Sequence, residues 1–153
     1  MANLLCRVHE LKSPRKLRIL SWLSNDIKNN GLDILKKLRS THKNKFLNLC
    51  PNVTISDIIP SLIHTDVVVG NLIFGPEGLL LIDWQCPALG DPIVGAAIFL
   101  SLGMHMIYGT GNLTAFEREA FLQGLSLYLR ARYDQVSLLY HWHLAAYYLW
   151  CAD

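Results

Sequence analysis

Two short apolar runs, Leu72-Ile73-Phe74 and Leu79-Leu80-Leu81-Ile82, are separated by Gly75-Pro76-Glu77-Gly78. No other stretch limits the available folds as much, because strand-forming runs joined by a Gly- and Pro-rich break read as a hairpin. If the turn pairs Phe74 with Leu79, stepping back along both antiparallel strands sets Asn71 opposite Ile82 and Gly70 opposite Asp83. Asn71 and Asp83 then share the open end of the hairpin. His64-Thr65-Asp66 stands just ahead of it, with four residues between Asp66 and Asn71. Local geometry alone thus gathers two carboxylates and an amide oxygen in one small space.

The rest of the chain reads as mostly helical. Residues 2 to 11 suit a short helix, with Leu4, Leu5, Val8 and Leu11 along one face. Ser13 is expected to cap a second helix with Pro14 in its first turn and Leu17, Leu20, Leu23 and Ile27 on its buried side. Asn29-Asn30-Gly31 would end it, and a third helix would begin near Leu32 and carry Leu35 and Leu38. The polar run from Ser40 to Lys45 suits either the last turn of that helix or a loop. Turn chemistry from Pro51 to Ser61 leads to a brief apolar piece, Leu62-Ile63. Beyond Asp91-Pro92 the pattern predicts a helix from Ile93 to about Tyr108. Another should start at Thr114, where Glu117 completes a capping box, and a last one should span Ser137 to Trp150. The expected fold class is mainly α with a small β-hairpin (α+β), in a single domain spanning 1–153.

Composition narrows the function classes. At 153 residues and 52% hydrophobic content the chain can bury a core, and disorder is not expected. Residues 1–45 hold eleven Lys and Arg against three Asp and Glu, whereas residues 46–153 hold three against nine. The basic residues alternate with Leu and Ile at helical spacing, which favours a solvated helix face over a nucleic-acid surface. The uncharged stretch from Ile93 to Tyr108 contains Gly95 and Gly103 and falls short of the roughly 20 residues of a membrane span. A buried helix is the reading there, with no membrane partner. Cys6, Cys50, Cys86 and Cys151 lack the spacing of a zinc or redox site. The N-terminus reaches charge too soon for a signal peptide, so a cytoplasmic chain is expected.

Two carboxylates and an amide suit Mg²⁺, which takes one or two protein carboxylates together with phosphate oxygens and water. Phosphoryl transfer needs such a set, plus a carboxylate to accept the proton of an attacking hydroxyl. The text His64-Thr65-Asp66-Val67-Val68-Val69-Gly70-Asn71-Leu72-Ile73, then Leu81-Ile82-Asp83-Trp84-Gln85 and Leu89-Gly90-Asp91-Pro92, resembles the aminoglycoside phosphotransferase and choline kinase-like family. The resemblance covers nearly the whole chain, since Leu4-Leu5-Cys6-Arg7-Val8-His9 is similar to the helix that opens the family's C-terminal lobe. It implies the helical C-terminal lobe of a protein-kinase-like fold, with the catalytic loop within 62–84. It further implies Asp66 as the catalytic base, His64 as the residue holding the loop, and Asn71 and Asp83 as Mg²⁺ ligands with ATP as cofactor. A small-molecule hydroxyl would be the acceptor; family members phosphorylate antibiotics, choline, thiamine, sugars and amino-acid derivatives.

This sequence departs from the family in three places. Nothing upstream of His64 is Gly-rich, and no strand lysine is evident, so the N-terminal lobe is expected to be absent and either that lobe or a partner chain would have to supply the ATP-covering wall. Thr65 stands where the family more often has Gly or another small polar residue, and Val67-Val68-Val69 replaces a more polar segment. Gly95 stands where the family usually braces the catalytic loop with an Asp, a role Asp91 could share. The expected function is an ATP-dependent phosphotransferase, partial and weakly active alone. The alternative is a non-catalytic pseudokinase-like interaction module, and a basic nucleic-acid binder is the weakest reading. His141 and His143 would diverge by about 200° on a helix, which speaks against a shared metal. Trp142, Tyr147, Tyr148 and Trp150 read as packing, with a cation-binding aromatic wall as the other use.

Overall fold

The hairpin forms in the expected register. In a computed structural model describing residues 1–13, 16–108 and 111–153, β3 (Leu72–Gly75) and β4 (Gly78–Leu81) pair antiparallel. Phe74 is opposite Leu79, and Gly78 supplies the left-handed residue of the turn with φ 108°. The ladder runs one step past the strands, where the Ile82 amide donates to the Asn71 carbonyl at 2.9 Å.

A second, three-stranded sheet was not anticipated. It joins β1 (Arg18–Ile19), β2 (Ser61–Ile63) and β5 (Ala88–Gly90) in the order β1-β5-β2. β1 is parallel to β5 and β2 is antiparallel to it, with Ile63 opposite Ala88. At two or three residues each, these strands are too short to show an alternating pattern. They flank the hairpin and its approaches, so that 64–71 and 83–87 are held between two small sheets.

Around them lie α1 (Ala2–His9), α2 (Ser24–Lys37), α3 (Lys43–Asn48), α4 (Val94–Phe99), α5 (Leu102–Ile107), α6 (Ala115–Gln123) and α7 (Leu127–Cys151). The fold is α+β and mainly helical, as expected, but several boundaries differ. The helix proposed from Ser13 through Ile27 does not form: Arg18–Ile19 is strand, and the helix begins at Ser24. The Pro14 placement lies outside the described residues. Asn29-Asn30-Gly31 does not end a helix either, and no separate helix starts at Leu32. A Cβ at Gly31 would stand 2.4 Å from the Trp142 ring, so this glycine admits α7 against α2, and packing outweighs its poor helix propensity.

The helix expected over Ile93–Tyr108 is broken at Ser101, whose φ and ψ of −73° and 122° are extended. The carbonyls freed by the break are satisfied: His105 Nε2 bonds to the Phe99 oxygen at 2.8 Å, and Arg118 donates to the Leu100 oxygen at 3.3 Å. The Thr114–Glu117 capping box forms on both sides as the spacing predicts. The last helix starts well before Ser137, capped by Ser126, whose hydroxyl accepts from the Leu129 amide. Its early turns bury Leu129, Arg132, Tyr133 and Val136, and the buried arginine interrupts the apolar pattern that would have revealed them. One hydrophobic cluster links α1, α2, α4, α6 and α7 through Leu5, Leu35, Ala97, Phe121, Val136 and Leu139. Among the described residues no helix is long and apolar enough to cross a membrane.

Two histidines give this core an acid limit. Burial holds His9 and His141 down to about 4, from an ordinary 6.5. His9 Nδ1 is buried without a hydrogen-bond partner, and His141 Nε2 lies 2.9 Å from the Tyr133 hydroxyl, which itself accepts from Arg118. The unfolded chain takes up these protons near 6.5, whereas the folded chain does not until about 4. Their contribution to stability is therefore complete above the unfolded value and is lost as pH falls toward the folded one. Urea midpoints should drop between about pH 7 and about pH 5, ahead of most carboxylate titration. A midpoint that held steady over that interval would show that these rings are not kept neutral by the fold.

Candidate active site

The loop after β2 is built on strain and on local hydrogen bonds. Thr65 has φ 69°, a left-handed conformation costly for a β-branched residue. Its hydroxyl donates to the Cys86 carbonyl at 2.8 Å, tying this loop to the chain beyond Asp83. This backbone accounts for the departure noted in the sequence: a position with positive φ favours Gly, and here Thr occupies it with a hydrogen bond offsetting the strain. Asp83, at φ 63°, also lies in the left-handed region, which Asp tolerates better than most residues.

His64 is 2% exposed and spends both ring nitrogens inside the loop. Nδ1 accepts from the Asp66 amide at 3.3 Å, which leaves Nε2–H to donate to the Ile82 carbonyl at 2.8 Å. Trp84 packs edge-on against the ring with centroids 4.6 Å apart. A histidine so engaged positions Asp66 and the residue before Asp83 relative to each other and has no nitrogen left for a substrate.

Asn71 closes the other side. Its Nδ2 donates to the Asp66 carbonyl and to Asp66 Oδ2, both at 2.9 Å. Among the described residues its Oδ1 has no hydrogen bond, which leaves it open to act as a ligand, and one Asp66 carboxylate oxygen likewise has none. The structure thus brings His64, Asp66 and Asn71 into one bonded cluster, with Asp83 attached through its neighbour Ile82. Asp66 and Asp83 both line a cavity of about 880 Å³ bounded by α2, α4 and α7. Among the described residues no group of three or more His, Cys, Asp and Glu side chains is placed to hold a metal. The set here is two carboxylates and an amide, and it fits Mg²⁺, which draws its remaining ligands from phosphate and water.

The loop from His64 to Asn71 is braced by apolar packing. Val67 and Val68 are essentially fully buried. A Cβ on Gly95 would come within 3.0 Å of Val67 Cγ2 and 3.3 Å of a Leu5 methyl, so the small residue on α4 makes room for the valine. Asp91 does not bond to the loop. Fully buried, it accepts from Arg132 Nε and Nη2 at 2.9 and 2.8 Å, from the Ile93 amide at 3.1 Å and from the Tyr140 hydroxyl at 3.4 Å. Arg132 Nη1 continues to the Ser56 carbonyl at 2.8 Å and to Gln135 at 3.1 Å. Nothing in the sequence paired these two charges; the one available signal was an arginine at a core-facing position of α7.

His141 and His143 have separate partners, Tyr133 and Asn30, and share no site. All four cysteines are free thiols.

A loop carrying an ordered aspartate, with an amide beside it and a second carboxylate one hairpin away, on a mostly helical α+β lobe, is an arrangement compatible with phosphoryl transfer. The model of the phosphotransferase enzyme family matches residues 1–139, and the chain belongs to that family, whose fold is kinase-like. No curated protein matches the chain.

Proposed function

We propose that the chain provides the acceptor-binding and catalytic half of an ATP-dependent phosphotransferase acting on a small-molecule hydroxyl, with the wall over the nucleotide coming from outside residues 1–153. The observation that carries this reading is the Asp66–Asn71 pair, in which one amide orients the base and leaves an oxygen for a cation. The Asp66 carboxylate would take the hydroxyl proton of the acceptor as its oxygen attacks the γ-phosphorus and the bond to the β-phosphate oxygen breaks, releasing ADP. Bound Mg²⁺ would neutralise the phosphates, held by Asn71 and Asp83.

The hairpin supports the nucleotide part of this reading. Ile73, Leu80 and Ile82 share the strand face that carries Asn71 and are 47%, 49% and 38% exposed. Apolar side chains left open beside cation ligands suit the flat ring of a nucleobase.

Cation binding tests the ligand assignment without requiring turnover. Titration with Mn²⁺ in the presence of ATP, followed by water-proton relaxation, should show one saturable site. Asp83→Asn should weaken it by about tenfold or more, the loss of one charged ligand. Equal binding by parent and variant would remove Asp83 from the site.

A further inference from the structure

The cavity beside Asp66 has walls of two kinds. Its interior is lined by Ile27 of α2, Val94, Ala97 and Ile98 of α4, Met104 of α5 and Leu144 of α7. Polar side chains also border it, and apart from Asp66, Asp83 and the exposed Gln85 and Tyr147 most are already engaged. Asp91 and Tyr140 are bonded within the Arg132 cluster, Thr65 bonds to Cys86, His143 to Asn30, and Ser21 donates to Asp26. An entering polar ligand would have to displace bonds already made, and exchanging one hydrogen bond for another gains little. Apolar area remains open to it and is gained in full.

Charge excludes one class: Asp26, Asp66 and Asp83 face the cavity against the single cation Arg18 among the described residues, so an anionic acceptor is repelled. The same acidic rim attracts a cation, so it is the apolar wall that sets the preference for an uncharged body. At about 880 Å³ the space matches a ring-bearing molecule of drug-like size.

We propose that this cavity binds uncharged alcohols with an apolar body, which rests against α4 and Leu144 while the hydroxyl reaches Asp66. The proposal rests on the phosphotransfer reading for the fate of that hydroxyl, but not for binding. The full chain, labelled at its methyl groups and free of nucleotide and metal, can be titrated by NMR with menthol, choline and glucose. Menthol should shift the Ala97, Ile98 and Leu144 methyls in a saturable manner, with a Kd at least about tenfold below those of choline and glucose. Leu144→Asn and Met104→Gln, both at partly exposed positions, should each raise the menthol Kd about tenfold, whereas Leu144→Met should leave it unchanged.

Tighter binding of choline or glucose, or menthol binding that neither polar variant weakens, would overturn the proposal. Transfer assays separate it from the reading it rests on. Menthol binding with no phosphorylation of menthol, choline or glucose, once a nucleotide-covering lobe is added, keeps the cavity assignment and removes the phosphotransfer reading. Phosphorylation of choline or glucose with no menthol binding does the reverse.

Discussion

Asp66→Asn is expected to lower phosphoryl transfer by about 10²–10⁴-fold, the usual range for loss of a general base, while leaving the fold intact. The asparagine keeps the backbone carbonyl and a side-chain oxygen for Asn71 Nδ2, so the hydrogen bonds that shape the loop survive. Only the capacity to take a proton is removed. The loss should therefore fall on kcat, with the KM for ATP little changed. Transfer of labelled γ-phosphate to an acceptor alcohol, with the N-terminal lobe of a family member supplied in trans, provides the measurement. A rate unchanged by the substitution would show that Asp66 is not the base.

Arg132→Met should cost about 3–5 kcal/mol of stability, because it leaves Asp91 charged, fully buried and without its main partner. The pair joins α7 to the turn ahead of α4, and through Ser56 it also holds the segment leading to β2. A loss well under about 1 kcal/mol in urea unfolding, the range of exposed ion pairs, would mean that the site is hydrated or that Asp91 relaxes. Adding Asp91→Asn to the variant should return part of the loss, since it is the uncompensated charge that costs most.

The hairpin and the segment leading into it were legible because their geometry is local. Hairpin register follows from turn length, and turn length is written in Gly75-Pro76-Glu77-Gly78. The Thr114–Glu117 box was legible for the same reason, since both partners lie within one helical turn. What escaped was decided at long range. Gly31 reads locally as a helix end but serves as a contact for Trp142, more than a hundred residues away in the chain. Strands β1, β2 and β5 are too short to carry a pattern and exist through one another. Asp91 was noticed, but its partner Arg132 could be found only by folding the chain. The cavity walls, drawn from α2, α4, α5 and α7, were invisible for the same reason.

Val67 and Val68 place the loop proposed to be catalytic in an unusual position on the scale of local stability. Active-site loops generally belong to the weakly protected parts of a protein and open many times before the whole molecule does. Here two fully buried valines anchor the loop against α1 and α4, and its base cannot swing out without exposing core. The amides around Asp66 should therefore exchange with solvent at rates close to those of the central helices, in a single cooperative opening. Any motion that opens the cavity is left to its other walls, and Asp66 stays still while they move.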